Sequence, residues 1–234
     1  MVNGKRQAAL LEKVDRDKFY TTEEAVALIR ESKTAKFEES ADVVFKLGVD
    51  PKHNENRIRS TVVLPSGRGK TEIILAIAQG DKAKEAQDAG ADFVGAEDMI
   101  EKVSGGWLDF DRMIATPDMM AAVSKLGRVL GPRGLMPSPK SGTVTMDIGD
   151  AVKEFKAGKI EFRLDEYGNV HAPFGLASFE ANDLKQNLLA LTSAIVAAKP
   201  EGTKGKYITG VSISATMGPG IKLDQDELLS QASA

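Results

Sequence analysis

Residues 71–130, TEIILAIAQGDKAKEAQDAGADFVGAEDMIEKVSGGWLDFDRMIATPDMMAAVSKLGRVL, decide the fold. The apolar, β-branched run EIILAIA reads as a strand and KAKEAQDAG as a helix. DFVG and EDMIEKVS repeat the pair, and DRMIATPD followed by MMAAVSKLGRVL repeats it again. Strand and helix in strict alternation imply βαβ units with right-handed crossovers and a parallel sheet. Residues 67–159 are therefore expected to form a compact α/β domain of Rossmann-like type.

The flanks follow a different pattern. Ahead lie a helix through AALLEKV, a second helix opened by the cap-like Thr21-Thr22-Glu23-Glu24, and two strands, SADVVFKLGVD and IRSTVVLP. Behind lie a strand at KIEFRL, a turn at Asp165 to Asn169, a strand at VHAPFG, a helix through Asn182 to Ala198, and the alternating strand YITGVSIS. Neither flank closes a core alone, so their strands are expected to pair into one mixed sheet. The expected fold class is thus α/β and α+β. Residues 1–66 and 160–234 make a discontinuous domain, and 67–159 are inserted in it. The two connectors, Ser66-Gly67-Arg68-Gly69 and Lys156-Ala157-Gly158-Lys159, carry Gly67, Gly69 and Gly158 and suit a two-stranded hinge.

Composition excludes several chemistries. Of 234 residues 42% are apolar, enough for real cores, and none is Cys. Disulfides and thiolate sites are excluded, and the two histidines, His53 and His171, lie too far apart in sequence to suggest zinc. No apolar run approaches the roughly 20 residues that cross a bilayer, and MVNGKRQAALLEK lacks a signal segment, so a cytoplasmic protein without membrane partners is expected. Lys and Arg number 31 against 34 Asp and Glu, a net charge of −3 that argues against tight nonspecific nucleic-acid binding. Local patches differ from the mean. Gly202 to Leu223 holds Lys204, Lys206 and Lys222 without an acid, and Lys52, Arg57, Arg59, Arg68 and Lys70 face only Glu55. The sign of such a patch, rather than the net charge, decides whether phosphate docks.

Two catalytic readings fail, the first of them on spacing. In Gly67-Arg68-Gly69-Lys70-Thr71 the first glycine of a phosphate-cradling loop would fall at Leu64, and a strand rather than a helix follows. Asp109, Asp111 and Asp118 are more simply strand-end or turn residues than metal ligands. No nucleophile with a base beside it is apparent, so neither a cofactor nor an enzyme is expected. An α/β enzyme acting on a phosphorylated metabolite is the alternative.

Residues 125–145, KLGRVLGPRGLMPSPKSGTVT, concentrate glycine, proline and unopposed positive charge. Lys125, Arg128, Arg133 and Lys140 are the only charges there, and no acid stands between Asp118 and Asp147. The window reads either as an anion-binding loop or as a turn whose bases merely solvate it. Its wording, LGPRGLMPSPKSGTV, resembles the signature of the L-one family of large-subunit ribosomal proteins, which form a lateral stalk. AKFEESADVVFKLGVDP, QDAGADFVGAEDMI, KIEFR, NVHAPFG and ATMGPGIKL extend the resemblance over nearly the whole chain, in a bacterial form. Ser138, Arg59-Ser60 and Ser40 stand where the family usually has Asn, Arg-Gly and Thr.

The resemblance implies a monomer within the ribosome that holds the stalk of large-subunit rRNA. It further implies help with release of tRNA from the exit site, and repression of the protein's own operon by binding its mRNA. It places the RNA grip on Ala35-Lys36-Phe37 and Ala215-Thr216-Met217-Gly218-Pro219, with Ser40, Arg163, His171, Ser212 and Ser214 flanking. Lys36 suits a phosphate, Phe37 a ribose or base, Thr216 a 2′-hydroxyl and Gly218 close backbone approach. Phe37 also reads as an ordinary core residue, and Met217 as a gap filler beside the last strand. Lys125 and Arg128, with Lys52 and Arg57, are the expected tRNA contacts, while Arg133 and Lys140 either join them or brace the loop.

Overall fold

The structure, a computed structural model, describes residues 4–51, 53, 58–200, 203 and 205–232. The first half contains α1 (Lys5–Glu12), α2 (Thr22–Glu31), β1 (Ser40–Leu47), β2 (Arg59–Val63), β3 (Ile74–Ile77), α3 (Asp81–Asp88), β4 (Phe93–Gly95), α4 (Glu97–Ser104) and β5 (Arg112–Ala115). The second contains α5 (Met120–Val123), α6 (Gly127–Leu130), α7 (Ile148–Lys156), β6 (Lys159–Arg163), β7 (Asn169–Leu176), α8 (Ala181–Ala197), β8 (Ile208–Ala215), β9 (Ile221–Leu223) and α9 (Gln225–Ala232). Internal packing divides the chain into two compact units, Met1–Gly69 with Ile160–Ala234, and Lys70–Lys159.

The first unit is built on a four-stranded antiparallel sheet in the order β7-β1-β8-β9. Along β1 the side chains alternate, with Ala41, Val43, Phe45 and Leu47 buried and Ser40, Asp42, Val44 and Lys46 on the other face. The buried set packs on Ala25, Val26 and Ile29 of α2, Leu184, Leu188, Leu191 and Ile195 of α8, and Leu228 of α9. Each large apolar side chain buried there contributes roughly 1.5–3 kcal/mol. A one-residue slip would turn the whole set to water, so the register is strongly held. Thr21 and Glu24 start α2 as a reciprocal capping box, each side chain meeting the other's backbone amide. Pro173, which cannot donate to a ladder, sits on the edge strand β7.

The flank strands do not all share that sheet. β2 and β6 leave it to form a separate two-stranded sheet, bound by the Arg59–Glu161 ion pair, while Ile160 and Phe162 of β6 enter the same core. β2 has no fully buried face to anchor it in the larger sheet; its residues are half-buried or exposed. The place beside β8 goes instead to β9, a three-residue strand too short to show a pattern in the sequence.

The second unit has a three-stranded parallel sheet in the order β4-β3-β5. All four residues of β3 are buried, as expected of a central parallel strand covered on both faces. Leu75 and Ile77 face α4 and the 117–130 segment, packing on Met99, Val103, Val123 and Leu130. Ile74 and Ala76 face α3 and α7, packing on Ala86, Ile148, Val152 and Phe155. The single helix expected over MMAAVSKLGRVL is broken into α5, a 3-10 turn at Ser124–Leu126, and α6. Ser124 Oγ donates to Met120 O at 2.6 Å, a back-bond that disturbs helical pairing, and Gly127 follows it.

Candidate nucleic-acid interface

At one end of the four-stranded sheet, the loop after α2 meets the turn after β8, and one buried carboxylate holds them together. Glu39 is 1% exposed. Its Oε1 accepts from the amides of Thr34 at 3.1 Å and Ala35 at 2.9 Å, and its Oε2 accepts from Met217 N at 3.0 Å. Burying a carboxylate is costly unless hydrogen bonds replace its water, and these three amides do so. A second clasp lies alongside. Thr216 N donates to Ser40 O at 3.0 Å, and Thr216 Oγ1 accepts from Ser40 N at 3.0 Å while lying 3.3 Å from Ser40 O.

The clasp leaves Lys36, Phe37, Thr216 and Met217 exposed on neighbouring turns. Phe37 is 53% and Met217 42% exposed, so neither is the core residue or gap filler that was the alternative for it. Thr216 has already committed its hydroxyl to Ser40 and keeps one lone pair for a ligand. Gly218 lies so close to α2 that an added Cβ would sit 3.2 Å from both Ser32 Oγ and Ala215 Cβ.

The open face of the sheet continues from that end. Sheet register sets Asp42 between Ser214 and Pro173, Val44 between Ser212 and His171, and Lys46 between Gly210 and Asn169. Of the expected flanking residues, Ser40, His171, Ser212 and Ser214 therefore share one face. Arg163 does not: it lies on β6, exposed, beside Arg59, Leu164 and Asp165. Asp42 and Lys46 belong to this face but were not singled out from the sequence, and Lys222, opposite Ser212, joins it from the acid-free stretch Gly202 to Leu223. The strict alternation of SADVVFKL was the signal that put Asp42 and Lys46 beside Ser40.

Two carboxylates shape the electrostatics. Burial pushes the Asp42 carboxyl above its usual range, against the opposite pull of Arg68 and His171. Burial also pushes Asp165 up, but hydrogen bonds from Asn169, Tyr167 and His171 outweigh it and hold that carboxyl below the usual range. The His171 Nε2 to Asp165 Oδ2 distance is 3.3 Å, so Asp165 orients His171 at the rim of the open face.

In the second unit, Lys125, Arg128, Arg133 and Lys140 are all exposed and none pairs with an acid among the described residues. The proline-rich loop is braced by hydroxyls rather than by Arg133 or Lys140. Thr143 Oγ1 accepts from Ser138 N at 2.8 Å, and Ser141 Oγ donates to Ser138 O at 3.0 Å. Ser141 and Thr143 are both buried, with their hydroxyls 3.0 Å apart. Lys52 and Arg57 lie outside the described residues.

The connector glycines have left-handed backbones, with φ 68° at Gly67, 80° at Gly69 and 105° at Gly158. Buried Asn187 on α8 ties down the first connector, accepting from Ser66 N at 3.0 Å and donating to Gly67 O at 2.9 Å. Among the described residues no cluster of His, Asp and Glu could hold a metal ion, and no helix is long and apolar enough to cross a membrane.

A family model described as the ribosomal protein L1p/L10e family matches residues 29–219. The matched span runs from the end of α2 through both units to Pro219, and so includes both loops clasped by Glu39.

Proposed function

The chain belongs to the ribosomal protein L1p/L10e family, a family of rRNA-binding structural proteins of the large subunit rather than enzymes, and from that membership we propose a division of labour between its two units. The first unit grips stalk rRNA with Lys36, Phe37, Thr216, Met217 and Gly218, and lays the open face with Ser40, His171, Ser212 and Ser214 along it. The observation that carries this reading is the Glu39 clasp. It brings a cation, an aromatic ring and a close-approach glycine together from opposite ends of the chain. A rigid, partly apolar surface of that kind suits a structured RNA, whose unpaired bases and 2′-hydroxyls are read by stacking and hydrogen bonds.

The second unit carries Lys125 and Arg128, which touch the tRNA leaving the exit site. Phosphate contacts without base readout suit a ligand that must be every tRNA in turn and must depart. Repression of the protein's own mRNA needs no further site, because an mRNA that copies the rRNA shape competes for the same grip. Gly67, Gly69 and Gly158 mark the hinge between the roles. Acidic net charge is compatible with the rRNA grip, since a shape-reading surface does not rely on long-range attraction, and with the tRNA contact, since the sign of the local patch decides whether phosphate docks.

The test is retardation of a stalk-rRNA fragment by the purified chain, with an unrelated duplex of equal length as control. Selective retardation is expected, weakened by about 5- to 150-fold in Thr216→Val and Met217→Ala, the range that 1–3 kcal/mol spans. Equal binding of both RNAs would remove the proposed specificity.

A further inference from the structure

We propose that the turn between β6 and β7 carries a second RNA contact, in which the Tyr167 ring stacks on an unpaired base of the same RNA. This rests on the rRNA-binding reading above and extends it to the opposite end of the sheet. Tyr167 is 84% exposed, the most exposed large hydrophobic or aromatic side chain among the described residues. It does not stand on a loose loop. Asp165 Oδ1 accepts from Tyr167 N at 2.8 Å and Asn169 N at 2.7 Å, and its Oδ2 lies 3.2 Å from Asn169 Nδ2. Asp165 N donates to Asn169 O at 2.8 Å. Gly168 follows at φ 82°, its carbonyl accepting from Leu47 N at 2.8 Å, and a Cβ there would press on Val49 O at 3.3 Å.

The turn thus fixes the backbone that presents the ring to solvent, so that only the side-chain torsions remain to be ordered when a base stacks on it. The same Asp165 carboxylate holds His171, so the platform and the rim of the open face are one hydrogen-bonded assembly. The surrounding charge favours nucleic acid over an apolar partner. Lys46 sits opposite Asn169 in the sheet register and Arg163 closes β6, both exposed and without an acidic partner among the described residues. Two acids oppose them: Glu166, exposed at the tip, and Asp165, whose carboxylate is engaged by Tyr167 N, Asn169 and His171. Ser40 and Lys46 stand six residues apart along β1, or roughly 20 Å at the rise of an extended strand. Two contacts at that spacing call for a folded RNA element rather than a single nucleotide, and they would set its orientation on the sheet.

The experiment measures the affinity of the full chain for the stalk-rRNA fragment over a salt series, for the parent, Tyr167→Ala and Tyr167→Phe. Tyr167→Ala is expected to weaken binding by about 5- to 150-fold with an unchanged salt slope, because stacking releases no counterions. Tyr167→Phe keeps the ring and is expected to bind within a few-fold of the parent. A parental affinity in Tyr167→Ala overturns the contact, as does an equal loss in both variants, which would assign the effect to the hydroxyl. A parent chain that fails to retard the fragment overturns the rRNA reading itself, a separate outcome. Matching circular dichroism of the three proteins shows that the turn variants fold.

Discussion

The Glu39 carboxylate receives the amide of Met217 at 3.0 Å across 178 positions of sequence, while its other oxygen receives the amides of Thr34 and Ala35. The two ends of the chain meet on one buried charge. Hydrogen bonds to charged groups are worth about 1.5–3 kcal/mol, and an unmet buried donor costs as much. Glu39→Gln keeps the shape but turns an amide NH2 toward donors. It is expected to lower stability by about 2–3 kcal/mol, read as a fall in Tm, and to weaken rRNA binding in parallel. An unaltered Tm would mean that the carboxylate is not what joins the loops.

Gly69 combines a left-handed backbone with a crowded site. At φ 80°, an added Cβ would lie 2.7 Å from Leu176 Cδ1 and from the Phe179 ring. Gly80, at φ 61°, has open space in the same position. Gly80, with ψ −129°, lies outside the left-handed helical region in a conformation that side chains rarely adopt, so Gly80→Ala is expected to cost about 1–3 kcal/mol for the backbone alone. Gly69→Ala is expected to cost more, since steric overlap in a packed region adds to the strain. Equal shifts in Tm would show that Leu176 and Phe179 yield freely.

Asp42 gives the fold a defined pH dependence. Its folded carboxyl titrates above its ordinary value of 3.8 because burial disfavours the charge. The folded state therefore binds the proton more tightly than the unfolded chain does. The stabilisation from this group is complete below the unfolded value and is lost as pH rises through the folded one. Asp42→Asn removes that loss. It is expected to unfold at a higher temperature than the parent at pH 7, with the advantage shrinking as pH falls toward 3.8. A variant that melts lower at pH 7 would show that Arg68 and His171 outweigh the burial.

Lys125→Ala combined with Arg128→Ala removes two exposed cations of the second unit that pair with no acid among the described residues. Reconstituted into ribosomes, this variant is expected to bind stalk rRNA like the parent and to change the rate at which tRNA leaves the exit site. Loss of two phosphate contacts should also lower the salt slope for tRNA binding by about 1.4–1.8. Unchanged tRNA kinetics and slope would leave the motif as architecture.

Most local elements were legible in the chain because their signals lie between near neighbours. The Thr21–Glu24 capping box, the alternation of SADVVFKL and the unbroken apolar run of β3 each announce themselves within about ten residues. Helix α7 was legible too, since Ile148, Ala151, Val152 and Phe155 fall at helical spacing on one buried face, but it went unread beside the proline-rich loop. The break at Ser124 was less so, because a serine points equally well to water or back to its own helix. Glu39 shares the parity of buried Ala41 and Val43, but nothing local supplies the partners that let a carboxylate be buried there, or marks Arg163 as lying off the face that holds His171. Those distinctions arise only when β1 is seated between β7 and β8, and when β2 and β6 pair apart from them. Local periodicity selects which face of an element is apolar. The burial of a polar side chain, and the company a surface residue keeps, depend on segments more than a hundred positions away, so tertiary pairing alone assembled the candidate interface.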